Sequence, residues 1–336
     1  MTTFKRRFLI GFIICDALFL FSFVFFFYGP WSGFRDFWIT TSMTTKSHQY
    51  LAKWFYSDET IMKVLEDNII IPVDEVTDTS LIKLKKYSTS IYKNKYEKEI
   101  LEHEPDELYK LVNVSGKGYN GYLVAIYDPS MVHLATTSYL GVRGEYITDV
   151  SKREDAKVII NANGFHDPNW NSNGSTPHGT VIKDGKIVSK FRKANWGGGF
   201  IGFTNDNVLV LGKMSDQEAL DMGIRDAVEF GPFLMINGKR SFVKGNGGWG
   251  LAPRTVIAQR RDGIVLFLVI NGRLSTSIGA SMVDLCDIME NYGAYNAANL
   301  DGGASSALLI NHKIINTPVA GGKDGLREIP TFWVVK

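Results

Sequence analysis

Cysteine is nearly missing: Cys15 and Cys286 are the only two in 336 residues, so neither a disulfide framework nor a cysteine-based zinc site can be assembled. Charge of one sign is missing too. Lys plus Arg exceed Asp plus Glu by 37 to 35, which gives no global basic field to neutralise nucleic-acid phosphates, and nucleic acid is not expected as a partner. Proline stands at 10 positions against 33 for glycine. Many of the glycines lie in the C-terminal half beside short apolar runs, which points to a β-rich domain with tight turns and away from a helical bundle. With 45% hydrophobic and 21% charged residues, the chain can bury a full-sized core and is not a disordered tail.

One long hydrophobic run stands near the N-terminus. Residues Phe8 to Tyr28 carry a single charge, Asp16, and are long enough to cross a bilayer core as a helix. Inserting Asp16 costs about 3 kcal/mol, whereas eight phenylalanines and seven Leu, Ile or Val residues contribute roughly −0.3 to −0.6 kcal/mol each, so insertion wins by a few kcal/mol. Lys5, Arg6 and Arg7 precede the run at once. The positive-inside rule therefore keeps the N-terminus cytoplasmic and sends everything after Trp31 outside. The run exceeds a signal-peptide h-region and no small-x-small site follows it, so the expectation is an uncleaved single-pass anchor in the cell membrane, with a cleaved signal peptide as the alternative. Cys15 lacks the small residues that precede a lipidated cysteine and reads as an apolar filler.

Beyond the anchor the texture changes twice. From Ser47 to Asn68, Leu51, Trp54, Phe55, Ile61, Met62 and Leu65 fall on helical spacing, and Ser57-Asp58-Glu59 offers a helix start, which predicts two short helices. Residues 83 to 110, rich in Lys, Glu and Tyr, read as a solvated, partly helical connector. Then come β-prone runs at 122–127, 157–160, 179–182, 208–211, 233–236, 254–258 and 264–270, with hairpin signals at Asp184-Gly185, Asn237-Gly238 and Asp262-Gly263. A helix is expected from Ser281 to Asn291, with Ser281 as cap, Asp284 as the capping-box acid and Gly293 as the stop. The fold class is α+β: a domain of mainly antiparallel or mixed sheet with few helices over 110–336, preceded by a cytoplasmic tip and transmembrane helix at 1–31 and a helical stalk or connector at 32–109.

Two polar clusters could carry chemistry. Asn161-Ala162-Asn163-Gly164-Phe165-His166-Asp167 directly follows the apolar strand Val158-Ile159-Ile160, a placement that suits a cleft as well as an ordinary Asn/Gly turn. The stretch from Asp167 to Gly174 alternates like a calcium loop, but its glycine falls at the eighth place and His178 at the twelfth, so it is not an EF-hand. No cofactor or metal is expected, although a looser divalent-cation site near Asp167 or His166, with His178, stays open. In the second cluster, Asn299 to Ser306, Gly303-Ala304-Ser305 approaches a nucleophile elbow. That elbow needs a helix after the serine, and residues 307–315 read as strand, turn, strand. Asp301 instead ends a strand, beside Gly302 and Gly303, which let a substrate approach the backbone. Arg254 and Arg273 stand at strand ends, where a guanidinium grips phosphate or carboxylate bidentately or makes a surface ion pair.

Taken in order, Asn161 to Phe165, Gly179 to Ile187, Phe203 to Gly212, Gly231 to Gly238, Pro253-Arg254-Thr255, Asn271-Gly272-Arg273, and Asn299 to Gly303 with Ser305 resemble the phosphodiester glycosidase family over roughly residues 110–336. The resemblance implies hydrolysis of a sugar-1-phosphodiester at the anomeric C–O bond. It implies Arg254 facing the departing phosphate, with Arg273 second, and Asp301 as base or nucleophile, with Asp284 or Glu229 as its partner. Asp284 falls where the family has an acid early in a helix; the family supplies none at Glu229. Asn161, Asn163, His166, Gly179, Thr180, Arg273, Gly302, Gly303 and Ser305 would line the substrate, a phosphate-linked glycan of the cell surface. The rival readings are a non-catalytic module that binds phosphoglycans and a transferase of capsule or exopolysaccharide assembly.

Overall fold

Alternate side chains of the strand Val265–Ile270 enter two different cores, Val265, Phe267 and Val269 one, Leu266, Leu268 and Ile270 the other. A strand buried on both faces has no polar side to show, so its sequence is an unbroken apolar run. Thr331–Val335 does the same, with Trp333 and Val335 on one side and Phe332 and Val334 on the other. The computed structural model, which describes residues 3–45, 48–84, 92–168, 172–191 and 198–336, repeats this arrangement in three sheets.

The largest sheet has the strand order Lys239–Arg240, Phe233–Ile236, Ala294–Asn299, Arg254–Arg260, Val265–Ile270, Tyr119–Ile126, Tyr109–Gly116. A second runs Lys186–Lys190, Thr180–Lys183, Ile224–Phe230, Gly199–Thr204, Leu209–Gly212, and a third Lys313–Ile314, Leu308–Ile310, Val158–Asn161, Thr331–Val335, Val132–Thr136. Their pairings are antiparallel, and the class is α+β as the sequence implies. All three sheets turn one face to a single central core that includes Ile126, Ile160, Ile201, Phe267 and Trp333. Helices cover the outer faces. Leu285 and Met289 of Met282–Asn291, with Ile100 of Lys95–Leu101, pack on the first sheet; Ala219 of Asp216–Asp221 packs on the second, and Val150 of Ile147–Arg153 on the third. Two of the three expected hairpin turns have the positive φ that a tight hairpin requires at both centres: 51° and 71° at Asp184-Gly185, 53° and 76° at Asn237-Gly238.

At the N-terminus the helix Thr3–Tyr28 contains the stretch, Phe4–Tyr28, that is long and apolar enough to cross a membrane, and none of it is buried within the protein. An anchor and a signal sequence share these properties. Helices Ser32–Thr44, Tyr50–Lys53 and Asp58–Asp67 enclose a small core of Ile39, Ala52, Ile61 and Val64. The expected start at Ser57 is real, its hydroxyl accepting from Thr60 N at 3.3 Å. The connector is laid against the sheets. Ile69–Ile71 pairs with Phe242–Lys244, Thr77 N donates to Leu211 O at 2.9 Å, and Ile100 is fully buried. Within the solvated, partly helical connector expected at 83–110, the helix Lys95–Leu101 is present, and its Glu97 is buried, facing the guanidinium of Arg260 at 3.6 Å. Part of that stretch, residues 85–91, lies outside the described residues.

Candidate active site

The cluster grows from the ends of strands in different sheets. Asn161 closes Val158–Asn161, and its buried amide is a knot: Nδ2 donates to Asp301 O at 2.6 Å, while Oδ1 accepts from Thr255 Oγ1 at 2.8 Å and Ala307 N at 3.2 Å. Asp301 N donates to Ala162 O at 3.0 Å, Leu300 N to Thr255 O at 2.8 Å and Gly303 N to Pro253 O at 2.8 Å. The segment Asp301 to Gly303 is thereby clamped between the first and third sheets, with Asp301 half-buried. The two glycines serve the protein's own packing. A Cβ at Gly302 would lie 2.9 Å from Pro253 O, and one at Gly303, where φ is +60°, would lie 3.1 Å from Nη2 of Arg273.

Arg254 is 4% exposed. Its Nε donates to Ala280 O at 3.1 Å, and its Nη2 to Trp249 O at 2.6 Å and Gly250 O at 2.8 Å. Burial, then the neighbouring Arg273, pushes its pKa down to about 9. Arg273 sits at φ 58° just after the Asn271-Gly272 turn; the residue as a whole is exposed, yet enough protein surrounds the guanidinium to lower its pKa too. Among the described residues neither cation has a carboxylate partner. Compare Arg260, equally buried, whose Nη2 meets Asp262 at 2.8 Å and whose Nη1 meets Glu97 at 3.6 Å. Structural burial of arginine is normally neutralised in that second way, because an unpaired buried charge is costly. Two adjacent cations without a carboxylate partner among the described residues have the charge and donor geometry that suit an anion.

The remaining residues form a second strip. Glu229, buried in Ile224–Phe230, accepts from Thr180 N at 2.8 Å. Gly179, with φ +72°, is what admits it, since a Cβ there would lie 2.5 Å from Glu229 Oε2. Thr180 Oγ1 donates to Asp216 Oδ1 at 2.9 Å. Asn163 ties this strip to the first by donating to His178 O at 2.7 Å and accepting from Thr331 Oγ1. The rings of His166 and His178 are 6.1 Å apart, and Phe191 packs 4.9 Å from His166.

Asp284 is engaged elsewhere. Its Oδ2 accepts from Ser281 N at 2.8 Å and Ser281 Oγ at 2.6 Å, and Ser281 Oγ accepts from Asp284 N at 3.2 Å, a complete capping box. Asp167 is ion-paired with Arg327 at 2.9 Å. Among the described residues no three His, Cys, Asp or Glu side chains stand close enough to share a metal; Asn169 to Asn171 lie outside them. Ser305 is in a short 3-10 turn, Gly303–Ser305, that leads into the strand Leu308–Ile310, so the helix of a nucleophile elbow does not follow it. Two residues of the cluster, Thr255 and Asn299, fall in the family-like blocks of the sequence but were given no role there. Asn299 donates to Gly231 O at 3.0 Å while its Oδ1, like Ser306 Oγ, is buried without a partner among the described residues. Their signal was a polar side chain at a buried position near the end of a strand.

The phosphodiester glycosidase family matches residues 154–336, and the chain belongs to that family. It is 31% identical over 189 residues to the SPbeta prophage-derived uncharacterized protein YomE of Bacillus subtilis, a match that takes in 54% of this chain and 28% of that protein. The chain thus matches well under a third of that relative's length. The catalytic domain of zebrafish N-acetylglucosamine-1-phosphodiester alpha-N-acetylglucosaminidase, solved as auto-inhibited by its pro-peptide, superposes with a TM-score of 0.55 at 16% identity, over 77% of this chain and 98% of that one. The fold is therefore shared. A putative exported protein of Burkholderia pseudomallei gives a TM-score of 0.46 at 16% identity, over 65% of this chain and 74% of its own.

Proposed function

We propose that the chain hydrolyses a sugar-1-phosphodiester, breaking the anomeric C–O bond so that the sugar leaves as a free reducing sugar and the phosphate stays on the aglycone as a monoester. The observation that carries this reading is the pair Arg254 and Arg273, two cations without a carboxylate partner among the described residues, packed against the Gly302-Gly303 backbone that follows Asp301. The leaving group departs as an anion and needs charge stabilisation more than protonation. A preorganised cation facing that charge is worth about 3 to 4 kcal/mol by analogy with single oxyanion donors. Asp301 then serves as base or nucleophile at the anomeric carbon, and Glu229, oriented by Thr180 N, is its carboxylate partner. Asp284 could take that role only by leaving its helix cap. Asn161 and Asn163 fix the two strips relative to each other, and His166, Gly179, Thr180 and Ser305 border the sugar. The divalent cation considered near Asp167 or His166 gains no support from the pairing of Asp167 with Arg327.

In this reading Lys5, Arg6 and Arg7 hold the N-terminus inside, residues 1–31 anchor the chain, 32–109 form the connector, and 110–336 act outside the cell on a phosphate-linked glycan of the wall or capsule. The test is to incubate the full chain in detergent micelles with a panel of sugar-1-phosphodiesters. Free reducing sugar is expected. Transfer of the sugar to an added acceptor in place of water would make the protein a transferase, and phosphate binding without turnover would make it a binding module.

A further inference from the structure

Arg254 does not hold itself in place; two of its three acceptors are the carbonyls of Trp249 and Gly250. These belong to a loop in which Gly245, Gly247, Gly248 and Gly250 all have positive φ, from 57° to 82°. A loop so rich in glycine loses much entropy when fixed, and its own hydrogen bonds are short-range ones, Gly247 N to Lys244 O at 3.1 Å and Gly248 N to Asn246 Oδ1 at 3.0 Å. What fixes it comes from the other end of the chain. Asn246 N donates to Asn68 Oδ1 at 2.9 Å, Asn246 Nδ2 to Thr40 Oγ1 at 2.9 Å, and Leu251 N to Thr41 Oγ1 at 3.3 Å. The approach is as close as backbone allows: a Cβ at Gly250 would lie 2.5 Å from Thr41 Cα, and one at Gly248 would lie 2.1 Å from Asn68 O. Thr40 and Thr41 are on Ser32–Thr44, and Asn68 caps the C-terminal end of Asp58–Asp67. Those helices continue into the apolar N-terminal helix through Tyr56 OH, which donates to Phe27 O at 3.0 Å, and Tyr28 OH, which donates to Phe55 O at 3.0 Å.

We propose that Thr40, Thr41 and Asn68 are positioning residues for Arg254, so that the helices next to the anchor complete the anion site by pinning the loop whose carbonyls aim the guanidinium. The inference rests on Arg254 being the phosphate-holding group. It makes the segment between anchor and sheets part of the site's machinery and not a tether, and it explains why a loop of this glycine content can present two carbonyls to one arginine.

The experiment is arginine modification by phenylglyoxal on the full chain in detergent micelles, read peptide by peptide by mass spectrometry, with and without inorganic phosphate. Thr41→Val is nearly isosteric and removes one pin; Asn68→Ala removes another. Each variant is expected to raise the modification rate of Arg254 about fivefold, the factor that corresponds to the net worth of one hydrogen bond, while Arg260 on the same strand, held by Asp262, keeps its wild-type rate. Phosphate should protect Arg254 in the wild type and do so about fivefold less well in the variants. An unchanged Arg254 rate in both variants, or an equal rise at Arg254 and Arg260, overturns the positioning role. Protection in the wild type with unaltered variants overturns it alone, whereas no protection in the wild type removes the phosphate reading and this inference with it.

Discussion

Arg254 and Arg260 lie on one strand and are buried alike, yet among the described residues Arg260 meets two carboxylates and Arg254 none. The contrast separates their expected phenotypes. Arg254→Ala should lower kcat/KM by about 10² or more with the fold intact, and Arg254→Lys should recover only part, because lysine lacks the planar fork. Arg260→Ala should instead cost about 3 to 5 kcal/mol of stability, since Asp262 and Glu97 are left buried and unpaired. Unaltered kinetics in a folded Arg254→Ala protein would remove it from the site. The lowered pKa of Arg254, about 9, adds a pH dependence. Below about 9 the folded protein carries a cation that burial and Arg273 disfavour. As pH rises through that value the folded state releases a proton that the unfolded state keeps, so this group's contribution to stability rises with pH while affinity for phosphate falls. Calorimetric titration with phosphate should show the affinity declining across pH 9, and a flat profile to pH 11 would contradict it. From sequence, Arg254, Arg273 and Asp301 could be singled out because each sits at a strand end in a distinctive local block. The role of Gly179 could not, because the carboxylate it admits is fifty positions away in the chain and reaches it only through sheet pairing.

Among the elements, those that announced themselves carry β-branched or aromatic residues on both faces, as Val265–Ile270 does. Ala294–Asn299 did not, although it lies in the middle of the largest sheet. Its Ala297 and Ala298 face opposite cores, and small side chains fit where a helix and a second sheet press close on either side; tertiary packing overrides their weak strand preference. The helix Met282–Asn291 was legible to its cap, because Ser281 and Asp284 interact locally. That cap also discriminates between the two candidate partners of Asp301. Asp284→Asn should lower the melting temperature by a few degrees, in line with a helix cap worth about 1 kcal/mol, and leave kcat within a few-fold. Glu229→Gln should do the reverse, losing about two orders of magnitude in kcat with a nearly unchanged melting point. If Asp284→Asn abolishes turnover while Glu229→Gln does not, the assignment of the second carboxylate is inverted.

At the scale of the whole molecule, three sheets share one core and bring their strand ends to a cluster, and the chain's first seventy residues reach that cluster from outside. The length and composition of the apolar run and its basic flank were plain in the sequence; the docking of the helices that follow it on the Gly245 to Leu251 loop was not, since it is made by single polar contacts without any periodic pattern. With an uncleaved anchor and the N-terminus inside, protease added to intact cells should release a fragment containing residues after about 40, and full protection of that region would contradict the orientation. In the proposed reaction the chemistry turns on Asp301. Asparagine is nearly isosteric and can still serve a turn through its carbonyl, so a purely structural aspartate tolerates the change, whereas a base or nucleophile loses its charge. The decisive measurement is therefore the release of free reducing sugar from a sugar-1-phosphodiester by the wild type and by Asp301→Asn, side by side. The account predicts turnover by the wild type and, in the variant, an unchanged melting point, retained phosphate binding and a kcat lower by at least about two orders of magnitude; near-normal turnover by Asp301→Asn would contradict it.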